Sequence, residues 1–590
     1  MVHKEEFETQ ILPRVHAYLE NETNPVFRDE VQQLLDAGDR DELYERFYQT
    51  LEFGTGGIRG VIGGGDNRIN TFVIRQVTQG LANYITTTVG KQATVVIAHD
   101  SRRYSDTFTM EAARVLAGNG VTAVIFRQLT PTPMLSFMVR HLEADAGIVI
   151  TASHNPPEYN GYKVSWNDGA QIVSPHDTNI IEEIKKVGNS INEISVEEAR
   201  TRGLLRMIEP REEDPYFSMV RKRLTVWDSL ADAAGDLHIV YTPLHGTGLT
   251  PVTRVFSDLG VSFTVVEEQK DPDPNFTHAP NPNPENPSAF EPAFKVAGEK
   301  PCDLVIATDP DADRIALAIP ENGSFRILSG NETGALFLHH ILSTRLTRLS
   351  AGKKAYVVKT IVTSALQNRI AEKFGVTCID TLTGFKYICG VMRRLEKEAP
   401  EMEFLYANEE SCGYLIEPET RDKDGVSAAA LAAELALSCR KEGVSMAERL
   451  KTIYTTYGLY HETQLSRMFP GAGGMTAIKA IMSDLRNDPR LLFAEDTLSL
   501  TQDYLSGESR RFPGGTPEKN INQPSSDVLQ FTLTDGSLIT ARPSGTEPKI
   551  KFYFSLHTDP PFEYDAAAVA LAEQTTRYHD HVNAFLKERT

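Results

Sequence analysis

The stretch Thr94 to Pro156, TVVIAHDSRRYSDTFTMEAARVLAGNGVTAVIFRQLTPTPMLSFMVRHLEADAGIVITASHNP, decides the fold. It holds three short β-rich runs, Thr94 to Ala98, Val121 to Phe126 and Gly147 to Ile150, with a helical run from Thr107 to Ala117 between the first two. Strands alternating with helices at this spacing predict an α/β domain with a parallel or mixed sheet. The third run leads straight into the polar segment TASHNP. That places a hydroxyl at the carboxyl end of a strand, where open α/β sheets bind their ligands.

The same order recurs outward from this stretch. His238 to Tyr241 reads as a strand, the region near Val252 to Leu259 as a helix, and Ser262 to Glu267 as a strand. Further strands are expected at Leu304 to Ala307 and Ala355 to Val358. Asp271 to Pro287 carries six prolines and four asparagines and reads as an ordered loop or linker. The Ala-rich run Val426 to Cys439 reads as a buried helix, too short and too interrupted to span a bilayer. Beyond the break at Phe469 to Gly474 and the turn-rich segment after Arg511, Val528 to Leu533 and Leu538 to Ala541 form a hairpin pattern closed by Asp535-Gly536. Ile550 to Leu556 alternates like a strand, and Asp565 to Lys587 reads as a terminal helix. The last segment therefore reads as a separate α+β domain.

Composition narrows the function classes. The chain has 590 residues, 60 Lys+Arg against 80 Asp+Glu, and a formal net charge of −20. That balance offers no basic stripe to nucleic acid and no attraction to an anionic membrane. Five cysteines, an odd number with no C-x-x-C pair, predict no disulfide scaffold and a reducing, cytoplasmic setting. The polar N-terminus shows no signal-peptide pattern.

Four segments carry chemistry. In Thr151-Ala152-Ser153-His154-Asn155-Pro156, Ser153 has two candidate activating partners, His154 and Lys163. The alternative is a loop whose Ser and Asn cap backbone groups. In Asp309-Pro310-Asp311-Ala312-Asp313-Arg314, three carboxylates at alternate positions can converge on one hard cation. An EF-hand is excluded, because its sixth and twelfth loop positions are Arg314 and Pro320. Arg314 beside a bound cation makes sense if an anion such as phosphate bridges the two. In Asn408-Glu409-Glu410-Ser411-Cys412-Gly413, Glu and Ser side chains suit sugar hydroxyls; Lys423, in the charged turn beyond, is an acid/base candidate or a solvated charge. In Arg542-Pro543-Ser544-Gly545-Thr546-Glu547-Pro548-Lys549, glycine and hydroxyls between basic residues suit a phosphate cradle or a plain hairpin turn. Neither a Walker A loop nor a dinucleotide fingerprint occurs: Gly54-Thr55-Gly56-Gly57-Ile58-Arg59 has Arg where the third Gly belongs. Together the four describe one job, moving a phosphoryl group on a phosphosugar.

In this order, and with Phe53 to Gly60 (FGTGGIRG), the four segments resemble the phosphoserine, magnesium, sugar and phosphate loops of the α-D-phosphohexomutase superfamily, the phosphoglucomutases and phosphomannomutases. The resemblance spans about residues 45 to 560, and length and loop character look closest to the phosphoglucomutase-2/phosphopentomutase-like branch. It implies three related α/β domains with mixed sheets plus a smaller C-terminal α+β domain around a central cleft. The boundaries expected are an N-terminal helical extension over 1–45, a phosphoserine domain over 46–205, a metal-binding domain over 206–322, a sugar-binding domain over 323–458 and a phosphate-binding domain over 459–590.

Carried over by residue, the resemblance implies that Ser153 is phosphorylated and that Asp309, Asp311 and Asp313 hold Mg²⁺ with a phosphoserine oxygen. Arg59, Lys163 and Arg314 would serve proton transfer or charge stabilisation near Ser153, where the residues themselves also offer His154. Glu409 and Ser411 would grip sugar hydroxyls, with Lys423 a second acid/base group. Arg542, Ser544, Gly545 and Thr546 would bind the non-reacting phosphate. Asn408 departs from the Gly of many members, which bears on the turn rather than the chemistry. The implied activity interconverts glucose 1-phosphate and glucose 6-phosphate through a bisphosphate, with glucose 1,6-bisphosphate as activator. The alternatives are a phosphopentomutase, a phosphomannomutase, a glucose 1,6-bisphosphate synthase, a metal-dependent phosphatase, or a silent sugar-phosphate sensor. The basic residues of these loops should make a local positive potential inside an acidic protein. Oligomeric state is not legible.

Overall fold

The computed structural model describes residues 4–54, 56–90, 92–469, 473–494, 497–544 and 549–589. The chain divides into two compact units. One comprises Met1–Ser329, Met392–Arg394 and Ser411–Glu442; the other comprises Gly330–Val391, Leu395–Glu410 and Gly443–Thr590.

The first unit begins with a helical lead-in over Lys4–Glu6 and Phe7–Ile11, followed by helices at Leu12–Asn21, at Pro25–Ala37 and, last, at Arg40–Phe47. Asn24 caps the second through Val26 N–H, and Asp39 caps the third through Glu42 N–H. Their apolar faces close around Val15, Tyr18, Val31, Leu43 and Phe47. The buried Glu22 then ties them down, accepting from Thr71 Oγ1 at 2.6 Å and Phe72 N–H at 3.0 Å at the start of the Thr71–Thr88 helix.

Two mixed sheets follow in this unit. In the first the strand order is Gly57–Val61, Tyr159–Trp166, Ala146–Ile150, Thr94–His99, Thr122–Phe126, Leu205–Ile208. The last four strands run parallel, and Tyr159–Trp166 pairs antiparallel with both of its neighbours. The second sheet runs Ser324–Ile327, Ile315–Glu321, Leu304–Thr308, His238–Thr242, Ser262–Val265. Leu304–Thr308 and Ile315–Glu321 form an antiparallel pair, so the 309–314 segment is the turn between them. The central strands of both sheets are apolar and buried through their middles, because helices cover both faces.

In the second unit Lys354–Thr360 pairs parallel with Thr377–Thr381 and Met402–Glu409. A seven-stranded sheet follows, ordered Leu459–Met468, Lys549–Thr558, Leu538–Pro543, Leu529–Leu533, Leu498–Asp503, Glu508–Arg511, Glu518–Lys519, with the helix Tyr564–Lys587 closing the chain. The expected hairpin is present, Leu529–Leu533 against Leu538–Pro543, with Gly536 at φ +85° in its turn.

Three expectations need correction. The strand read to Glu267 stops at Val265, and Glu267–Lys270 is a helical turn. The turn-rich segment after Arg511 contains a short strand, Glu518–Lys519, paired with Glu508–Arg511. The strand Met402–Glu409 includes Asn408 and Glu409, so both stand at a strand end rather than in a sugar loop.

Candidate active site

Strand Ala146–Ile150 is wholly buried and delivers the chain to Ser153 at its carboxyl end. Ser153 is 3% exposed and sits at φ +52°, in the left-handed region unfavourable for a side-chain-bearing residue. The turn is held locally by Thr151 Oγ1, which accepts from Ser153 N–H at 2.8 Å. It is held from outside by Arg102, which is 3% exposed. The Arg102 guanidinium donates to the carbonyls of Ser153, Asn155, Pro156 and Tyr159, and its Nε lies 3.2 Å from Asp100 Oδ2. Its face packs over the Phe276 ring, 4.9 Å from the centroid.

Ser153 Oγ donates to Asp309 Oδ2 at 2.8 Å and lies 3.2 Å from His154 Nδ1. The hairpin turn that carries Asp309, Asp311 and Asp313 buries all three carboxylates, with one oxygen of each within 4.8 Å of the others. The turn is tight: Ala312 takes φ +49°, and a Cβ on Gly246 would lie 2.4 Å from Pro310 Cα. Fixed donors then share the oxygens. Asp309 Oδ1 accepts from Arg314 N–H at 3.0 Å, and Asp311 Oδ2 accepts from Lys163 Nζ at 2.7 Å and Thr132 Oγ1 at 2.8 Å. Asp313 Oδ2 is 3.2 Å from Lys423 Nζ and 3.6 Å from Lys163 Nζ. Asp311 Oδ1 and Asp313 Oδ1 are buried with no hydrogen-bond partner. An all-oxygen set with two orphaned buried carboxylate oxygens fits a hard divalent cation.

The electrostatics follow from this packing. Burial first, then the Asp311 and Asp313 charges, push the Asp309 carboxyl well above the usual carboxylate range. Burial works the same way on Asp311, but the Lys163 ion pair and the Thr132 hydrogen bond outweigh it and hold Asp311 low. Lys163 loses solvation too, yet Asp311 and Asp313 keep it protonated. Burial, and then Arg314 and Arg59, push His154 well below its ordinary value, so its ring is neutral.

Each cation reaches the loop from a different element. Arg59 pairs across from Gly161 and Lys163 across from Gly57, which sets both side chains on one face of the sheet. A Cβ at Gly57 would lie 1.9 Å from Tyr162 O, so this pairing requires glycine. Arg59 donates to Asn155 Oδ1 at 2.8 Å. Lys423 precedes the helix Gly425–Glu442, whose first turn Asp424 caps through Val426 and Ser427 N–H, both at 2.9 Å. Tyr216 OH donates to the same carboxylate at 2.8 Å. Gly413 leaves room for Lys423, since a Cβ there would lie 2.1 Å from Lys423 Cδ. Arg314 lies 3.7 Å from Glu285 and 3.9 Å from Asp313.

The first unit thus gathers Ser153, His154, Arg59, Lys163, Asp309, Asp311, Asp313, Arg314 and Lys423; Ser411 also belongs to it. In the second unit Glu409 is 6% exposed and accepts from Gly384 N–H at 2.8 Å. Thr360 and Thr363 hydroxyls donate to Glu410 at 3.2 and 3.3 Å. Arg542 is the penultimate residue of strand Leu538–Pro543, and Ser544 N–H donates to Lys549 O at 2.7 Å. Gly545 and Thr546 lie outside the described residues. Sequence reasoning missed Arg102, Thr132, Tyr216 and Asp424. The signal for the first two was position: Arg102 follows the carboxyl end of strand Thr94–His99, and Thr132 opens the helix that follows strand Thr122–Phe126.

Comparison with known proteins identifies the domains. Three models of the phosphoglucomutase/phosphomannomutase family match in order: α/β/α domain I over residues 50–190, domain II over 214–323 and domain III over 329–457. The phosphoglucomutase of Staphylococcus saprophyticus is 36% identical over 527 residues, covering 88% of this chain and 93% of its own. That of Staphylococcus aureus is 35% identical over 518 residues, 87% of this chain and 91% of its own. Among solved structures, parafusin, a phosphoglucomutase of Paramecium, superposes with a TM-score of 0.65 at 18% identity, covering 91% of this chain and 96% of its own. A phosphoglucomutase/phosphomannomutase family protein of Burkholderia thailandensis gives 0.60 at 19%, covering 91% and 97%. Three α/β/α domains and a further β-rich C-terminal domain, with phosphoglucomutase relatives along almost the whole length, make this chain an enzyme of the phosphoglucomutase/phosphomannomutase family, a phosphohexomutase.

Proposed function

We propose that the protein interconverts glucose 1-phosphate and glucose 6-phosphate, with Ser153 as the phosphoryl carrier. The observation that carries this is the 2.8 Å contact of Ser153 Oγ with one of three clustered carboxylates, beside an ion-paired lysine. In the forward half-reaction the P–O bond to Ser153 Oγ breaks as a bond to the free hydroxyl of the sugar phosphate forms. The hydroxyl proton leaves, and Ser153 Oγ ends protonated. After the bisphosphate turns over, the reverse step from the other position restores phosphoserine. Such a transfer gathers charge on equatorial oxygens, so positioning and fixed cations dominate.

Lys163, held protonated, serves as a fixed cation rather than a base. His154, 3.2 Å from Ser153 Oγ, is placed to exchange a hydrogen bond with that oxygen, its ring kept neutral by burial and by Arg314 and Arg59. Arg59 and Arg314 bear on the transferred group, and Lys423 is the second acid/base candidate. Asp309, Asp311 and Asp313 would hold Mg²⁺, which when bound neutralises phosphoryl charge. Glu409 and Ser411 would read sugar hydroxyls in both orientations, and Arg542 with Ser544, Gly545 and Thr546 would take the distal phosphate. The domain boundaries expected from the sequence belong to this same reading.

The test is a substrate panel of glucose 1-phosphate, mannose 1-phosphate and ribose 1-phosphate, with glucose 1,6-bisphosphate as activator. Preference for glucose 1-phosphate supports the reading; preference for another sugar assigns a phosphomannomutase or phosphopentomutase. Net bisphosphate formation assigns a synthase, phosphate release without isomerisation a phosphatase, and no turnover a sensor. Ordinary activity of Ser153→Ala, or no phosphoryl mass on Ser153 in active protein, rejects the mechanism.

A further inference from the structure

A second concave site lies in the first unit, away from Ser153. It encloses about 340 Å³, within the range of small-molecule sites. Phe137, Pro215 and Met219 supply its apolar wall, and Phe137 stacks on the His141 ring with centroids 5.5 Å apart and planes 15° apart. Its polar lining is mostly cationic: Arg140, Lys222 and Arg223, with His141, against the single carboxylate of Glu419. Asp168 O accepts from Arg140 Nη1 at 3.1 Å, and Glu419 pairs with Arg223. Arg223 Nε and Glu419 Oε2 are nevertheless buried without a hydrogen-bond partner. In a chain of net charge −20, a pocket whose one carboxylate is paired with Arg223, leaving the charges of Arg140 and Lys222 in excess, selects an anion. The stacked rings and Met219 beside the cations select one that also carries a planar apolar body.

Every element lining the pocket also touches the metal loop or belongs to, or holds, the segment that carries Lys423. The helix Thr132–His141 contributes Phe137, Arg140 and His141 at one end, and Thr132 hydrogen-bonds Asp311 at the other. Its Ser136 Oγ accepts from Arg421 N–H at 2.8 Å. The helix Asp214–Arg223 contributes Met219, Lys222 and Arg223, and its Tyr216 holds Asp424. Glu419 lies four residues before Lys423 on the same turn.

We propose that this pocket is an effector site for a small organic phosphate with a planar apolar body, of mononucleotide size, and that its occupancy alters turnover through the Lys423 turn. The binding arm of the test does not depend on the sugar specificity proposed above. Equilibrium dialysis of the full chain with adenosine 5′-monophosphate, in saturating glucose 1-phosphate, should show one bound nucleotide. Inorganic phosphate or adenosine alone should bind at least about tenfold more weakly, since each makes half of the contacts. The Arg140→Glu/Lys222→Glu double variant should weaken nucleotide binding at least about thirtyfold. Met219→Trp, which fills the pocket without a change of charge, should do the same and serves if the double variant does not fold. Nucleotide should shift kcat/KM at least about twofold in the parent and in neither variant. Displacement by glucose 1-phosphate, undiminished binding in both variants, equal binding of phosphate alone, or an unchanged kcat/KM at saturation overturns the proposal.

Discussion

Replacing Arg102 with methionine tests whether the Ser153 turn is held from outside. The substitution roughly keeps the volume of the alkyl stem and removes every donor. Four backbone carbonyls lose their guanidinium partner, and the fully buried Asp100 loses its counter-ion. Stripping one member of a buried ion pair costs about 3–5 kcal/mol, and each orphaned buried acceptor about 1–3. The terms do not add fully. Burial already pushes the Asp100 carboxyl up, so it answers by taking a proton, and the carbonyls of the turn can move to water. We expect a net loss of about 4 kcal/mol by urea denaturation. Released, Ser153 can leave φ +52°, a conformation that costs about 1–3 kcal/mol where nothing enforces it. A displacement of about 1 Å at the reacting oxygen lowers kcat/KM roughly 100-fold. Arg102→Lys keeps one charge and fewer donors and should fall between. The assays are denaturation, kcat/KM for glucose 1-phosphate, and phosphoserine content by intact mass. Parental kcat/KM in Arg102→Met would refute the positioning role, and an unchanged denaturation midpoint would refute the energetics.

Glu417→Gln tests a second buried pair. Burial first, then Asp424, pushes the Glu417 carboxyl well above its ordinary value. A raised folded pKa gives stability that is present below the unfolded value of about 4.3 and lost as pH rises toward the folded one. The parent should therefore lose up to about 1.4 kcal/mol per pH unit above pH 5 from this group, and Glu417→Gln should remove that slope in melting-temperature profiles. Lys163→Met should cost about 3 kcal/mol in chelator and abolish most turnover, because Asp311 loses its partner; parental stability would show that the pair is not buried as described. Mg²⁺ at a hundredfold excess over its Kd should stabilise the protein by about 2.7 kcal/mol against chelator, and Asp313→Asn should blunt that gain. Equal melting with and without metal in the parent would reject the cation site.

What could be read from the sequence was what is local. The strands and the metal turn follow from hydrophobic period and from carboxylates at alternate positions, and Ser153 from its place after a strand. The contacts that hold these parts are not local. Arg102 and Arg103 stand side by side in one charged run, yet the first is buried under the Ser153 turn and the second is exposed. Only the tertiary path of the 153–159 carbonyls distinguishes them. Tyr216 and Asp424 are 208 residues apart, and no periodicity links them. Glu409 looked like a loop residue because its neighbours are polar; backbone pairing of Lys359 with Asn408 carries the strand past them.

The placement of cations also explains how an acidic chain buries three carboxylates together. Lys163 comes from an antiparallel strand of the first sheet, Thr132 from a helix beside it, and Lys423 from the turn before Gly425–Glu442, while the aspartates belong to the second sheet. Asp309, Asp311 and Asp313 can leave water only when those elements have docked, since an unpaired carboxylate would not remain charged inside. The contacts proposed for chemistry are therefore also the seam between the two sheets, reinforced by Arg102 against Phe276 and by Arg103 against Asn275. A substitution at Lys163 or Asp311 must then move stability and turnover together. One at His154, which donates to none of these carboxylates in its neutral form, should move turnover alone. That contrast separates residues that assemble the site from residues that act in it.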